Sequence, residues 1–474
     1  MRNPTLVKSE TSTYQASRYN HFVPINDKGD HVLYNAYSGS LTVINSEVVP
    51  KISSVLSDSL NEDDSSPIKQ ALIHGKFLIP SSLNELEKIS KELMTTRVNK
   101  KKGLMLVLMP TLQCNFNCVY CYETEEIRSR VDKMSEEVQE QVIQLVKERV
   151  KDSTSINIEW YGGEPLLGYD VIESLSKKMI QICEENNTPF YARMISNSFL
   201  LTKEKLDTLV DLKVEEIMIT LDGPKEIHNM RRRLKGGQGS FDKIMKSIDI
   251  ASEKMRVIVR IHIDKDTANT HELLDYFKNH PNKHNLNISL TDLHLDKETI
   301  ENRPSLTSSC STSCSSSDSC STIKEKVFME NTESSKIKLN FYDTLKENKM
   351  NTYSYFGVGP KKGVCVAEDK NGFVIGPKGE LYACSRDIGI EDLITGYLDD
   401  HVRQNEDYEE SYFKFDPTKQ DPCMSCNIMP MCRGGCGKRN NEVGEMECPP
   451  IKFHINDILI KQAHAKLKKV TNVK

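Results

Sequence analysis

The 474-residue chain predicts an α/β protein with a parallel sheet, a small α+β domain in front of it and a cysteine-rich module behind it. Three observations carry this expectation. From residue 104 to about 300, short apolar runs alternate with amphipathic stretches of helical period, the pattern of β-then-α units joined by right-handed crossovers. Residues 1 to 98 hold shorter strand-like runs with turn signals between them. Cysteine is concentrated near the C-terminus, from Cys365 to Cys448.

Composition narrows the function classes. Apolar residues make up 38% of the chain, enough for real cores, and the formal net charge of −5 supplies no basic field for nucleic acid. Met1 to Glu10 is polar and lacks the apolar stretch of a secretory signal, and no apolar run is long enough to mark a membrane span. The expected compartment is the cytoplasm, with no membrane and no nucleic-acid partner. Fourteen cysteines in such a chain point to metal rather than to disulfides.

In the front domain, His21 to Ile25, His31 to Tyr34 and Leu41 to Ile44 read as strands, with Ser38-Gly39-Ser40 turning between the last two. Ser66-Pro67 starts a short helix that Gly75 ends, and Phe77 to Ile79 is one more strand. Ser82 and Glu85 form a capping box for a helix carrying Leu83, Leu86, Ile89 and Leu93 on one face. Arg97 to Gly103 reads as a linker.

The alternating region opens with Leu104 to Met109, a strand closed by Pro110. Ser135 caps a helix with Val138, Val142, Leu145 and Val146 inward. Ser155 to Tyr161 is a strand ending in Gly162-Gly163-Glu164-Pro165, followed by a helix through Ile172, Leu175, Met179 and Cys183. Cys183 sits on that apolar stripe and reads as core. Tyr191 to Ile195 is a strand ending at Ser196-Asn197, and Thr202 caps the next helix. Glu216 to Leu221 is a strand ending in Asp222-Gly223-Pro224. Phe241 to Ile248 is helical, Val257 to Ile263 a strand and His271 to Phe277 a helix. Arg260 and His262 alternate on one strand and face the sheet's interior side, where a satisfied core histidine is the expected fate of His262.

The chemistry is written in the loop after the first of these strands. Cys114, Cys118 and Cys121 stand at spacings x3 and x2, where three thiolates can hold a soft metal or an iron–sulfur cluster. A zinc knuckle is the alternative, but it wants a fourth Cys or His close by and none follows Cys121 closely. The triad, with Tyr120 before its last cysteine, resembles the signature of the radical S-adenosylmethionine (SAM) superfamily. That resemblance implies an incomplete (β/α)6 barrel and a [4Fe–4S] cluster whose open iron chelates SAM. It also implies reductive cleavage of SAM to a radical that abstracts hydrogen. Gly162-Gly163-Glu164-Pro165 resembles the superfamily's GGE motif, which implies Gly162, Gly163 and Glu164 at the SAM ammonium. Thr220 to His228 resembles the Ser-x-Asp-Gly-Pro stretch of SAM-dependent peptide modifiers. Thr220 is then a partner for the SAM carboxylate or ribose, Asn197 a ribose contact, and Arg231, among Arg231 to Arg233, a guanidinium for the carboxylate.

Toward the C-terminus, Cys365 and Cys384 precede Cys423-x2-Cys426-x5-Cys432-x3-Cys436 and then Cys448, a module able to hold two metal centres, with paired zinc ribbons as the plain alternative. The order, with four residues between Gly379 and Cys384, resembles the SPASM domain, the C-terminal partner of radical SAM enzymes that modify peptides. By that family's pairing, Cys423, Cys426, Cys432 and Cys448 hold one auxiliary [4Fe–4S] cluster, and Cys365, Cys384 and Cys436 hold a second with an iron left open. Three clusters are implied in all.

Residues 301 to 350 form an insert and bridge in which Ser305 to Ser321, with Cys310, Cys314 and Cys320, reads as a flexible loop. The SPASM module is placed at 351 to 450. The tail from 451 to 474 reads as an amphipathic helix packing against the barrel. The front domain, 1 to 98, resembles a winged-helix precursor-recognition domain, with a structural cap as the alternative. The implied substrate is a ribosomal precursor peptide with a leader, and the implied electron donor a low-potential flavodoxin or ferredoxin. Cysteine thioether crosslinking (sactipeptide or ranthipeptide type) is the leading expectation. Formylglycine formation of the anaerobic sulfatase-maturating type and carbon–carbon crosslinking are the alternatives. The sulfatase-maturating type places an aspartate base where this chain has Ser385.

Overall fold

The computed structural model describes residues 13–58, 63, 65–99, 102–263, 271–292, 331–352, 358–399, 411–438, 440 and 448–471. The chain divides into two compact units, one of Met1–Thr95, Phe356–Gly363 and Phe415–Lys474, the other of Thr96–Tyr355 and Val364–Lys414.

The first unit opens with β1 (Tyr14–Ala16), β2 (Asn20–Pro24), β3 (His31–Asn35) and β4 (Leu41–Ile44), then α1 (Val49–Ser57), α2 (Pro67–His74), β5 (Leu78–Pro80) and α3 (Glu85–Val98). Strands β2, β3 and β4 form an antiparallel meander, and β1 pairs with β5. Gly39 takes the turn between β3 and β4 at φ +75°, a conformation that suits glycine. Leu33, Ile44, Ile52, Val55, Leu72, Phe77 and Leu78 close a small core. The expected Ser82–Glu85 capping box does not form. Asn84 Oδ1 instead accepts from Glu87 N at 3.2 Å, while the Glu85 carboxylate is buried and accepts from Ser17 Oγ (2.7 Å) and Arg18 N (2.9 Å).

The same unit contains the C-terminal helix Ile451–Thr471, which packs on β2, β3 and β4 rather than on the barrel as expected. Its buried stripe, Ile455, Ile458, Leu459 and Ala463, supplies the apolar face, and Lys466 Nζ donates to Leu41 O at 2.7 Å.

The second unit is built on β6 (Leu104–Leu108), β8 (Ile156–Trp160), β9 (Phe190–Ser196), β10 (Val214–Thr220), β12 (Arg256–Ile263) and β13 (Leu286–Asp292), six neighbouring parallel strands. Helices α4 (Glu125–Ser129), α5 (Glu136–Arg149), α6 (Tyr169–Glu185), α7 (Lys203–Asp211), α8 (Lys225–Arg231), α9 (Phe241–Ser252) and α10 (His271–Lys278) punctuate them. One side chain in two along each strand, such as Leu104, Leu106 and Leu108 or Ile217 and Ile219, enters the helix-facing core. Ser135 and Thr202 cap α5 and α7 as their sequence context predicts, and Cys183 is buried in the core of α6. The other face of the sheet carries the polar residues of the site. A two-stranded ribbon, β7 (Phe116–Cys118) with β11 (Arg232–Leu234), was not evident from the sequence.

Two expected boundaries are corrected. Arg97 is fully buried, donates to Phe413 O (2.9 Å) and lies 3.4 Å from the Glu368 carboxylate, so the stretch expected as a linker starts as anchored helix. The module expected at 351 to 450 is split. Strand β15 (Gly372–Ile375) runs parallel to β6 and satisfies that strand's edge, and β16 (Glu380–Tyr382) and β17 (Ile394–Tyr397) continue the sheet antiparallel. Residues from Phe415 onward belong to the other unit. Cys310, Cys314 and Cys320 lie outside the described residues. Helix Asn331–Glu347 and the short β14 (Asn351–Thr352), parallel to β13, follow them.

Candidate active site

At the C-terminal ends of the parallel strands lies a cavity of about 400 Å³, within the size range of small-molecule sites. Cys114, Cys118 and Cys121 all line it. Their loop is held by backbone and by one buried cation. Cys114 N donates to Arg128 O (3.3 Å), and the Arg128 guanidinium donates to Phe116 O and Asn117 Oδ1, each at 3.1 Å. The ribbon fixes the other side, with Cys118 opposite Arg232 and Val119 N donating to Arg231 O at 3.0 Å.

The glycines of the next strand end meet this loop. Gly162 sits at φ +118°, and a Cβ there would come within 2.4 Å of Thr111 O; at Gly163 it would come within 2.2 Å of Leu112 O. Both therefore let two backbones touch, and both line the cavity. Glu164, implied at the SAM ammonium, is placed behind the cavity wall. It is fully buried, does not line the cavity, and accepts from Leu166 N (3.0 Å), Ser196 Oγ (2.7 Å) and Asn197 N (2.8 Å). Burial raises its pKa and these donors oppose the rise. It acts as a clip between the ends of β8 and β9.

Asn197 lines the cavity as expected, but its amide is committed, donating to Asn115 Oδ1 at 2.8 Å with Cys114 Sγ at 3.9 Å. Thr220 also lines it. Of the three consecutive arginines, the cavity wall is formed by Arg232, not Arg231. Arg231 ends α8 and is buried, whereas β11 turns its neighbour inward.

A polar relay runs along this wall. Arg232 Nη1 donates to the Tyr120 hydroxyl (2.6 Å), which donates to Asp222 Oδ2 (2.5 Å), and Asp222 Oδ1 meets His262 Nδ1 at 2.8 Å. Burial alone would raise Asp222, but His262 and Arg232 hold its carboxyl well below the usual range. Asp222 N donates to His228 Nδ1 (3.2 Å), whose Nε2 lies 3.0 Å from Ser240 Oγ. Burial lowers His228 to about 4, so it is neutral at pH 7. His262 is thus a cavity residue, not the satisfied core histidine expected. The sheet register explains the meeting, because Thr220 pairs with Arg260 and the residues two further on are adjacent.

Glu123, missed in the sequence, also lines the cavity. Burial pushes it up to about 7 against the pull of Arg128. Its signal was its place two residues after Cys121, in the loop that must face any bound group.

In the other unit, Cys423, Cys426, Cys432 and Cys448 line a second, tight pocket with Ile428, Met429 and Lys452. Lys452 Nζ lies 3.1 Å from Cys448 Sγ. Burial pushes Cys423 up to about 12, and the neighbouring thiols push the same way. Four thiols in a dry pocket favour the thiolate form only beside a cationic centre, which is what an iron–sulfur group provides. Among the described residues, no three His, Cys, Asp or Glu side chains converge as a site for a single metal ion. Both cysteine sets line a pocket wall. Cys365 is exposed and caps a short turn, and Cys384 N donates to Asp387 Oδ2 at 3.1 Å.

Residues 108–277 match the radical SAM superfamily. This segment of the chain is thus similar to a superfamily whose members use a [4Fe–4S] cluster and SAM. Its relatives include the radical SAM cyclopropyl synthase TigE of Paramaledivibacter caminithermalis, 24% identical over 282 residues, covering 53% of this chain and 57% of the synthase. This chain thus spans little more than half of that protein's length. The cysteine-type anaerobic sulfatase-maturating enzyme of Clostridium novyi is 24% identical over 358 residues, covering 72% of this chain and 89% of that enzyme. The structure of native anSMEcpe with bound AdoMet superposes with a TM-score of 0.56 at 19% identity, covering 79% of this chain and all of that one. At that identity the likeness is one of fold. Among the described residues no helix is long and apolar enough to cross a membrane.

Proposed function

We propose that this enzyme modifies a ribosomally made precursor peptide, forming cysteine thioether crosslinks. The carrying observation is Ser385, which lines the cavity directly after Cys384. The formylglycine route places a carboxylate base there, and a serine hydroxyl is a poor substitute for one. Cys114, Cys118 and Cys121 would hold the SAM cluster. Bound there, SAM and the cluster would supply hydrogen-atom abstraction. Around them, Gly162 and Gly163 give room for close backbone approach, Thr220 offers a hydroxyl, and the Arg232–Tyr120–Asp222–His262 relay keeps the wall rigid and its charges paired. Cys423, Cys426, Cys432 and Cys448 would hold one auxiliary cluster, and Cys365, Cys384 and Cys436 the other. A low-potential flavodoxin or ferredoxin would reduce them.

The β2–β3–β4 meander has two edges, and the leader peptide would add a strand to β4. Successive residues alternate the direction of their N–H groups, so Thr42→Pro and Val43→Pro separate the outward donor from the inward one. One of the two should weaken peptide binding about tenfold without lowering the melting temperature. Unchanged affinity in both sinks strand addition.

Sulfatase-type maturation is the second reading, favoured by the length of the match to the Clostridium novyi enzyme. Mass spectrometry after anaerobic co-expression with a neighbouring cysteine-containing precursor separates the two. Loss of two hydrogens per crosslink supports thioether formation. Exchange of sulfur for oxygen with loss of two hydrogens supports formylglycine instead.

A further inference from the structure

The charged groups of the active-site cavity do not balance. Glu159 pairs with Arg193 at 2.5 Å, Asp292 with Lys338 at 2.5 Å, and Asp222 with His262 at 2.8 Å; Arg128 lies beside Glu123. Glu159, Asp292 and Asp222 therefore each have a cation in contact, whereas Glu123 feels Arg128 without forming an ion pair with it. Arg232 in the same wall is committed to the Tyr120 hydroxyl, and two further guanidiniums have no such commitment. Arg260, from the middle of β12, and Arg386, two residues after Cys384, line the cavity without a carboxylate partner or a hydrogen bond among the described residues.

Their surroundings are specific. Tyr122 Oη and Tyr161 Oη lie 2.8 Å apart, and both rings line the cavity. Arg386 sits over the Tyr122 ring at 6.0 Å, and Arg260 lies close enough to Tyr161 to influence its hydroxyl. Each of the two cations thus lies near one member of the tyrosine pair. Guanidinium forks in a partly enclosed cavity match a carboxylate in geometry and charge, and solvent screening is weak there.

We propose that Arg260 and Arg386, flanking the Tyr122–Tyr161 pair, form a subsite for an acidic side chain of the substrate peptide. The subsite selects peptides with Asp or Glu close to the cysteine that is modified. The inference rests on the peptide-maturase reading and names the specificity of that same cavity. A carboxylate could also come from the methionine portion of SAM, and the test separates the two sources.

The experiment uses the full-length, cluster-loaded protein under anaerobic conditions. A displayed library of random peptides with one fixed central cysteine is panned on the wild type, on the R260Q/R386Q variant and on the charge-keeping R260K/R386K variant. Iron content and SAM affinity are measured on each. The wild type should enrich Asp and Glu near the cysteine about tenfold or more, the effect of one charge-assisted hydrogen bond. The glutamine variant should lose that enrichment with SAM affinity within about twofold. The lysine variant should keep part of it, since charge remains but the fork is gone. Acidic enrichment that persists in the glutamine variant overturns the proposal. So does a loss of SAM affinity with peptide selection unchanged, which would give the arginines to the cofactor. Enrichment of other residues without acidic ones overturns the subsite alone. No enrichment of any residue by the wild type overturns the peptide reading with it.

Discussion

Cys114, Cys118 and Cys121 share their wall with about 400 Å³ of open cavity, whereas Cys423, Cys426, Cys432 and Cys448 leave about 10 Å³ among mostly apolar neighbours. The same residue type is placed to opposite ends. If each set holds a cluster as proposed, three thiols with room beside them would leave a coordination position for something else, and four thiols without room would complete their own centre and shield it. The difference lies in ligand count and free volume together, so the two sets should respond differently when ligands are removed.

The largest effect is expected at the open set. Replacing Cys114, Cys118 and Cys121 by alanine should take SAM cleavage to background and remove roughly four irons per chain. Iron assay and product chromatography on reconstituted protein check this, and a variant that loses no iron breaks the comparison. At the closed set, Cys423→Ala with Cys432→Ala should also remove roughly four irons, yet peptide-free SAM cleavage should survive. Metal binding and folding are coupled, so the melting temperature should fall by several degrees at least. If cleavage disappears as well, the two sets are not separable in function.

A smaller effect is expected in the relay. Asp222→Asn keeps the shape but weakens the hydrogen bonds to Tyr120 and His262, which are buried and charge-assisted, at a cost of about 1–3 kcal/mol. Because its pKa is depressed, the stability Asp222 contributes is present above its unfolded value near 3.9 and lost only as pH falls through the folded one. The deficit of the variant should therefore be flat from about pH 5.5 to 8 in denaturant melts. A deficit that grows or shrinks across that window would assign the effect to another group.

Five of the six parallel strands and most helices were legible because period and caps are local signals, while Leu286–Asp292 was not read as a strand. Ser135, Thr202 and the Cys183 stripe needed nothing beyond their own helices. What escaped depends on partners far apart in sequence. The partners of Glu164 were not legible, because two of its three donors, Ser196 and Asn197, lie more than thirty residues away. Tyr120, Asp222 and His262 meet only because β10 and β12 are adjacent and in register. Arg232 took the place expected for Arg231 because an unread ribbon decides which neighbour faces inward. The split of the cysteine-rich stretch follows from β15 finding the edge of β6, which no spacing rule announces.

The smallest expected effect concerns Cys310, Cys314 and Cys320, and it tests whether ligand count alone separates the two kinds of set. The proposed second auxiliary cluster has three motif cysteines, Cys365, Cys384 and Cys436, where its neighbour has four. Either an insert thiol completes it, or its fourth iron is left for a substrate. The insert is rich in serine and threonine, and fixing such a segment to place one thiol costs about 1–2 kcal/mol of backbone entropy per residue. An open iron favours a soft thiolate donor and would deprotonate a substrate cysteine on binding. Changing all three insert cysteines to serine should therefore leave iron content and crosslinking nearly unchanged. Loss of about one cluster's iron would make an insert cysteine the fourth ligand. The second cluster would then join the closed kind, and electron transfer would be the better account of it.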